Sequence, residues 1–327
     1  MPKVPITFAC GLYDRMQALY TGEVQADGIE LNFLAIDSPR QIFDRMGKSL
    51  DFDACEMSSS EVFSRLAAGR REMVALPVFP SRVFRHGFIT VNRKAVKSPK
   101  DLEGKRIGVP LYTQTAAVFI RGMLADEYGV DLSGVHWVQG ATNSAQSHGS
   151  PSALPPLKQV SIEQNTSGRS LSQLLAAGEI QAILGSGLPV ALGSNPDVQR
   201  LFPDFHAVEM ESYKRTRIFP IMHLVAMRRD VYERHPFIAT SLYQAMNAAK
   251  DLALAKMRDT GTLRYMLPGM TAELDEIDDV FDGDPWPYGV EPNRTTLAAL
   301  VRYMAEQSLI KAPIPVDELF VPIYGQN

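Results

Sequence analysis

Short apolar runs alternate with amphipathic helical patterns along most of this chain, and that alternation restricts the fold more than any other feature. Residues 6–10, 29–36 and 52–57 are strand candidates, and a helical pattern follows each of them. Such alternation is typical of α/β proteins, in which helices pack on the faces of a sheet. The apolar run 219–227 suits a central strand, and the chain beyond it is mostly helical. We therefore predict an α/β fold that ends in C-terminal helices.

The length of 327 residues allows two domains of ordinary size. The pattern changes at a polar, turn-rich passage after residue 92, and the run 219–227 returns the chain to its first part. We predict a discontinuous lobe 1 of residues 1–92 plus 216–327 and a lobe 2 of residues 93–215. Two crossovers between the lobes make a hinged cleft, and ligands bind in such clefts. The polar loop 139–158 has a length that usually marks a functional or mobile segment.

Composition excludes several classes of protein. A net charge of −4 offers no basic face for nucleic acid, and no apolar run approaches the roughly 20 residues of a membrane span. The N-terminus lacks the basic and apolar regions of a signal peptide. Two cysteines, Cys10 and Cys55, do not make a disulfide framework. We expect a cytoplasmic protein with no nucleic-acid or membrane partner, and homo-oligomerisation is left open.

A basic cluster follows the apolar run 73–79. Arg82, Arg85 and His86 lie within five residues. Two guanidiniums beside an imidazole are costly to bury unless an anion meets them. The anion is either an internal carboxylate, for which Glu56 is the candidate, or a substrate that carries carboxylates.

Other candidate residues follow predicted strands, whose carboxyl ends face the ligand crevice in open α/β sheets. Thr113 and Thr115 stand at a helix N-terminus, which favours an anion or needs only a capping threonine. Asp14 and Arg15 follow the first strand, where a helix-start ion pair is the simpler interpretation. The places selected by this rule are residues 10–15, 56–60, 110–115 and 185–189.

Two histidines lie in strand-like segments on the presumed crossovers. His86 and His223 would each be structural in isolation, but both crossovers pass near the cleft. Arg215 and Arg217 approach the second crossover, where a solvated charge run is the simpler interpretation. The sequence contains no His-x-x-x-His or Cys-x-x-Cys metal spacing and no glycine-rich phosphate loop.

The chain resembles the 4,5-dihydroxyphthalate decarboxylases, whose fold is like that of type II periplasmic binding proteins. The resemblance runs from about residue 7 to residue 322, with the loop 139–160 its poorest part. The family often places an arginine in the turn 185–189, where this chain has none. The segments that carry the resemblance are residues 9–15, 77–86, 115–122, 217–223 and 286–289.

The resemblance implies decarboxylation of a hydroxylated aromatic acid, most simply 4,5-dihydroxyphthalate to 3,4-dihydroxybenzoate and CO₂. A para-hydroxyl supplies the electrons, so no organic cofactor is required. The protein then needs an acid for the ring carbon and cations for the carboxylates. We assign proton transfer to His86 or His223, with Glu56 or Asp14 as the orienting or proton-accepting carboxylate. Our substrate-binding candidates are Arg82, Arg85, Arg15, Thr113, Thr115, Ser186 and Arg217.

Three alternatives remain at this point. The first is a non-catalytic solute-binding protein for a small aromatic or other carboxylate, because fold does not fix function. The second is a cytoplasmic enzyme of other chemistry, which includes biosynthetic relatives of this fold. The third is a metal-assisted decarboxylase, in which His86, His223, Glu56 and Asp14 would converge as nitrogen and oxygen ligands. A divalent metal is therefore not excluded by the sequence.

Overall fold

Eleven strands and ten helices make up the part of the chain that the computed structural model describes, which is residues 2–146, 148–149, 153–261 and 263–324. The strands are β1 Val4–Cys10, β2 Ile29–Ala35, β3 Ala54–Ser58, β4 Met73–Arg82, β5 Ile89–Asn92, β6 Arg106–Val109, β7 His136–Gln139, β8 Ile162–Gln164, β9 Ala182–Leu184, β10 Val198–Arg200 and β11 Ile221–Arg228. The helices are α1 Asp14–Tyr20, α2 Pro39–Ser49, α3 Ser59–Ala67, α4 Thr115–Tyr128, α5 Leu171–Ala176, α6 Phe205–Thr216, α7 Arg229–Arg234, α8 Phe237–Arg258, α9 Met270–Phe281 and α10 Arg294–Glu306.

The strands form two separate sheets, which confirms the prediction of two α/β lobes. The first sheet has the order β2-β1-β3-β11-β4, and the second has the order β10-β5-β9-β6-β7-β8. Strand β11 runs antiparallel between β3 and β4, so both of its edges are paired. Side chains on both faces of β11 are mostly buried, and this burial explains the apolar run predicted there.

Strand β5 corrects one detail of the predicted domains. The predicted lobe 1 includes residues 86–92, but His86–Phe88 is a 3₁₀ turn and Ile89–Asn92 pairs with β9 and β10 of the second sheet. The chain therefore leaves the first sheet after Arg82. The division into lobes at residues 92 and 216 otherwise stays a prediction.

The two crossovers lie side by side. The backbone N–H of Val83 donates to the carbonyl of Pro220 at 3.2 Å, and the rings of Phe84 and Phe219 stack with centroids 4.4 Å apart. The two connections between the sheets are thus in direct contact, through a backbone hydrogen bond and a stacked pair of rings.

A helix of the second lobe also packs on the C-terminal helices. A Cβ atom at Gly122 of α4 would lie 2.3 Å from the Tyr303 ring of α10, so only glycine permits this approach. The Tyr303 hydroxyl donates to Asp126 at 2.9 Å, and Arg121 donates to Gln307 at 2.8 Å. The lobes are therefore joined by helix packing as well as by the crossovers.

Helix α6 was not predicted, since only Arg215 and Arg217 at its end were interpreted, as a solvated charge run; the helix is capped by Arg217 with a left-handed φ of 55°. Helix α7 lies in the part of the chain that was predicted only as mostly helical. No helix among the described residues has the length and apolar character needed to cross a membrane.

Candidate active site

A cavity of about 360 Å³ lies between the two sheets, where strands of both lobes end. On the first sheet, His223 of β11 pairs with Ser58 of β3 and Ser81 of β4, and all three residues line this cavity. Because β11 runs antiparallel to its neighbours, its first residues meet their last residues at one edge of the sheet. The cavity is therefore at the edge where the strand-end argument places a ligand.

His223 is held by a buried carboxylate. Its Nδ1 lies 2.6 Å from Oε1 of Glu56, whose side chain is 0% exposed, and the Phe43 ring packs edge-on at 4.9 Å. An ionised carboxylate only accepts hydrogen bonds, so Nδ1 carries the hydrogen and donates a hydrogen bond to Glu56. This arrangement leaves Nε2 as the ring nitrogen available for a ligand in the cavity.

Glu56 accepts three further hydrogen bonds, from the end of β1 and the turn that follows it. The Tyr13 hydroxyl donates to Oε1 at 2.8 Å, the Gly11 N–H donates to Oε2 at 3.2 Å, and the Cys10 thiol lies 3.5 Å from Oε2. Burial alone would raise the pKa of Glu56. The charge and hydrogen bond of His223, together with the hydrogen bonds from Tyr13 and Gly11, instead hold this pKa below its usual range. Glu56 is thus an ionised orienting group and has no contact with the basic cluster.

Arg85 lines the same cavity as His223 and is 5% exposed. Its Nε donates to the Met222 sulfur at 3.2 Å, and its guanidinium lies over the Phe88 ring at 4.9 Å. Its Nη1 is buried and has no hydrogen-bond partner among the residues that the structure describes. Burial lowers the pKa of Arg85 to about 9, opposed only by the charge of Glu209. No carboxylate among the described residues forms an ion pair with Arg85, and it stays charged at neutral pH.

The opposite wall of the cavity is neutral and polar. The Thr115 hydroxyl bonds to Ser58 at 2.9 Å, across the two lobes, and it also accepts the Ser60 N–H at 3.0 Å. Gln114 donates to the Ser186 hydroxyl at 2.8 Å. The side-chain oxygens of Thr113 and Gln114 are buried, and no described residue forms a hydrogen bond with them. Three predicted residues, Thr113, Thr115 and Ser186, therefore line the cavity.

Arg82 does not line the cavity, although it was predicted to bind a substrate carboxylate. Its guanidinium donates to the Asn293 side chain at 2.8 Å and to the Phe219 carbonyl at 2.9 Å, and it lies over the Phe219 ring. These contacts tie the second crossover to the C-terminal part of the chain. We therefore correct its assignment to a structural one.

His86 lies outside the cavity as well. It is buried between the rings of Tyr128 and Phe202, at centroid distances of 6.2 and 5.4 Å, and neither ring nitrogen has a hydrogen-bond partner in the described part of the chain. Burial, with a smaller effect from the Arg215 charge, lowers the pKa of His86 to about 4. A neutral imidazole in an aromatic surround is not placed to protonate a ligand in the cavity, which corrects the prediction of His86 as a catalytic acid.

Asp14, Arg15 and Arg217 are also placed elsewhere. Asp14 and Arg15 line a second, largely apolar groove of about 290 Å³, and they are 3.0 Å apart as an ion pair. Arg15 also donates to the Pro80 carbonyl at 2.6 Å. Arg217 is exposed at the end of α6. The four residues considered as metal ligands do not come together. Glu56 and His223 are in contact, whereas His86 and Asp14 lie away from the cavity.

Several cavity residues were not selected by the sequence analysis. Tyr13 lies in the predicted turn 10–15 but was not selected as a site residue. Arg40 enters from α2, where it pairs with Asp44 and Glu61, and His148 enters from the long polar loop. Burial and the Arg40 charge lower the pKa of His148. Only the unusual length of that loop indicated that it contributes to a site.

Comparison with known proteins identifies the relatives of this chain. It is 36% identical to a 4,5-dihydroxyphthalate decarboxylase of Comamonas testosteroni over 324 residues, which covers 98% of both chains. It is 37% identical to a protein of the same name from Pseudomonas putida over 217 residues, which is 65% of this chain and 83% of the relative. A family model described as NMT1/THI5 like matches residues 81–150.

Solved structures agree with the fold but are distant in sequence. The periplasmic aliphatic sulphonate binding protein SsuA of Escherichia coli superposes with a TM-score of 0.55 at 12% identity, covering 98% of both chains. The alkanesulfonate-binding protein SsuA of Xanthomonas axonopodis pv. citri gives a TM-score of 0.51 at 11% identity, covering 98% of this chain and 99% of that one. These likenesses confirm the predicted periplasmic-binding-protein-like fold. With the near full-length match in sequence, the chain belongs to the 4,5-dihydroxyphthalate decarboxylase family.

Proposed function

We propose that this protein is a carboxy-lyase that converts 4,5-dihydroxyphthalate to 3,4-dihydroxybenzoate and CO₂. The single observation that supports it best is the pairing, in one cavity, of a carboxylate-bound histidine with a buried arginine that forms no ion pair with any described carboxylate. The names of the Comamonas and Pseudomonas relatives point to the same substrate. The turn 185–189, where the family often has an arginine, contains no charge here.

In this proposal Arg85 binds a ring carboxylate. A buried guanidinium is well suited to a planar carboxylate, and the ligand charge would offset the cost of burying Arg85. Thr113, Thr115 and Ser186, with Gln114 beside them, offer neutral hydrogen-bonding groups on the other wall. Such groups suit the phenolic hydroxyls or a second polar group of the substrate.

His223 is the proton donor in this proposal. Nε2 of the imidazolium protonates the ring carbon that carries the departing carboxylate, while electrons from the para-hydroxyl move into the ring and its proton is released. The C–C bond then breaks, its electron pair restores aromaticity, and the phenol regains a proton. One proton is consumed for each CO₂ released. Glu56 stabilises the imidazolium and fixes which nitrogen faces the cavity.

We further infer that the reaction needs no organic cofactor, because the hydroxylated ring itself supplies the electrons. The same proposal includes a cytoplasmic enzyme of aromatic-acid degradation. A homo-oligomer is compatible with it.

The test is direct incubation of the purified protein with 4,5-dihydroxyphthalate, following CO₂ and 3,4-dihydroxybenzoate with and without a chelator. We expect turnover in both cases, and His223→Gln is expected to lower kcat by about 10²–10⁴-fold. His235→Gln is the matched control, since His235 lies at the end of α7 and does not line the cavity. Tight binding without turnover would instead support a solute-binding protein, and turnover lost only with chelator would support a metal-assisted reaction.

A further inference from the structure

Among the described residues, four groups donate hydrogen bonds to Glu56, and three of them come from the end of β1 and the turn that follows it. They are the Cys10 thiol, the Gly11 N–H and the Tyr13 hydroxyl, and His223 is the fourth. The sequence analysis selected this turn as a strand-end site, but neither Asp14 nor Arg15 lines the cavity. The role of the turn must therefore come from its first four residues.

The backbone of the turn is built for the Tyr13 ring. A Cβ atom at position 11 would lie 2.7 Å from Cζ and 2.9 Å from the hydroxyl oxygen of Tyr13, so a side chain at this position would displace the ring. The Arg15 guanidinium lies 4.3 Å from the Tyr13 ring centroid and is itself held by the Pro80 carbonyl. Glycine at position 11 thus lets Tyr13 reach Glu56, and Arg15 fixes it there.

Tyr13 and His223 share one oxygen atom. Both donate to Oε1 of Glu56, at 2.8 and 2.6 Å, and Tyr13 also lines the cavity. A buried carboxylate with too few donors takes up a proton and becomes neutral. A neutral carboxyl group would present its own proton, and it would no longer require His223 to carry hydrogen on Nδ1.

We propose that Tyr13 is a positioning residue for His223: its hydroxyl keeps Glu56 ionised and oriented, so that Glu56 holds Nδ1–H and leaves Nε2 for the substrate. This inference rests on the proposed function, in which His223 protonates the ring. It adds that the turn 10–13, which the resemblance alone did not explain, sets the ionisation of Glu56 and through it the ring orientation.

Other charged groups near His223 are unchanged by a substitution at Tyr13. They are Arg85 after β4, Arg40 and Asp44 of α2, Glu61 of α3 and His148 of the polar loop. The Cys10 thiol stays protonated because burial raises its pKa well above the ordinary value. A pH effect specific to Tyr13→Phe therefore reports on the carboxylate that Tyr13 contacts.

The experiment compares Tyr13→Phe with Tyr20→Phe, which makes the same change at a half-exposed position of α1. We expect Tyr13→Phe to lower kcat about ten-fold with KM within two-fold, and to move the acid limb of kcat/KM up by about half a pH unit. The direction follows because losing a donor raises the pKa of Glu56. Tyr20→Phe should match wild type in all three respects.

A second readout does not depend on turnover. ¹⁵N NMR of the imidazoles in the unliganded protein shows which nitrogen of His223 is protonated, with the signal assigned by its loss in His223→Gln. In the neutral imidazole, wild type and Tyr20→Phe should show hydrogen on Nδ1 of His223, whereas Tyr13→Phe should show a mixture of the Nδ1–H and Nε2–H tautomers. An unchanged spectrum and an unchanged acid limb in Tyr13→Phe would overturn the inference. If wild type binds but does not turn over, the proposed function fails while the NMR comparison still decides the role of Tyr13.

Discussion

Replacing Arg85 with methionine is expected to stabilise the unliganded protein while removing most of its activity. The guanidinium is buried and charged, and no described carboxylate forms an ion pair with it. Replacing buried ionic groups by well-packed apolar side chains is often neutral or stabilising, by about 1–4 kcal/mol. The contact with the Phe88 ring at 4.9 Å is lost, which offsets about 0.5–2 kcal/mol.

The expected net gain is therefore about 1–2 kcal/mol, or a rise in Tm of roughly 1.5–3 °C for a chain of this size. Activity should change in the opposite direction. Losing the charged partner of a buried carboxylate costs about 2–5 kcal/mol, which corresponds to a loss of about 30- to 5,000-fold in kcat/KM. Thermal unfolding without ligand and steady-state kinetics with 4,5-dihydroxyphthalate measure the two effects.

Arg82→Met is the matched control from the same basic cluster. Its guanidinium satisfies the Asn293 side chain and the Phe219 carbonyl, and each buried acceptor left unpaired costs about 1–3 kcal/mol. We expect this variant to be less stable than Arg85→Met by about 2 kcal/mol or more, with kcat/KM within about three-fold of wild type. An Arg85→Met protein that loses stability and keeps its kcat/KM would refute the reasoning.

The remaining predictions concern two other buried groups, Glu56 and His86. Glu56→Gln should lower kcat about 100-fold in steady-state assays with little change in KM, because His223 loses the charge that stabilises its imidazolium. The pKa of Glu56 is lowered in the folded state, so the ionised carboxylate stabilises the protein above about pH 4.3, and this stabilisation is lost as pH falls through the folded-state pKa. The free energy of unfolding in urea should therefore change less between pH 5 and pH 3 in Glu56→Gln than in wild type. His86→Phe should keep kcat/KM within about three-fold of wild type, since the ring lies outside the cavity. With its pKa lowered to about 4, His86 makes the wild-type protein lose stability as pH falls from 6.5 toward 4, and this loss should be absent in His86→Phe.

The fold was largely predictable because its signals are local. Alternating apolar and amphipathic segments predict two α/β lobes, and the run around β11 predicts a central strand. Helix α6 was not predicted, because its residues alternate between charged, aromatic and small side chains without a clear apolar stripe. Strand β5 was assigned to the wrong sheet, since strand propensity carries no information about which partner a strand pairs with.

The site was predictable only in part, for a geometric reason. Strand ends indicate where a cavity lies, and Glu56, Thr113, Thr115, Ser186 and His223 all come from such ends or crossovers. The basic cluster shows the limit of this rule. Arg82, Arg85 and His86 are neighbours in sequence, but Arg82 is bound by Phe219 and Asn293 while only Arg85 lines the cavity. Which side chain faces a ligand depends on residues more than 130 positions away, and no local pattern encodes that choice.

The close packing of Gly122 against Tyr303 has a consequence for how ligands exchange. Because α4 and α10 meet without space for a Cβ atom, a wide rotation of one lobe against the other would break this packing. Substrate entry and product exit would then depend on small movements of the side chains that line the cavity. A rigid frame of this kind suits a catalyst, which must release its product in every cycle, better than a carrier that must retain its cargo until delivery.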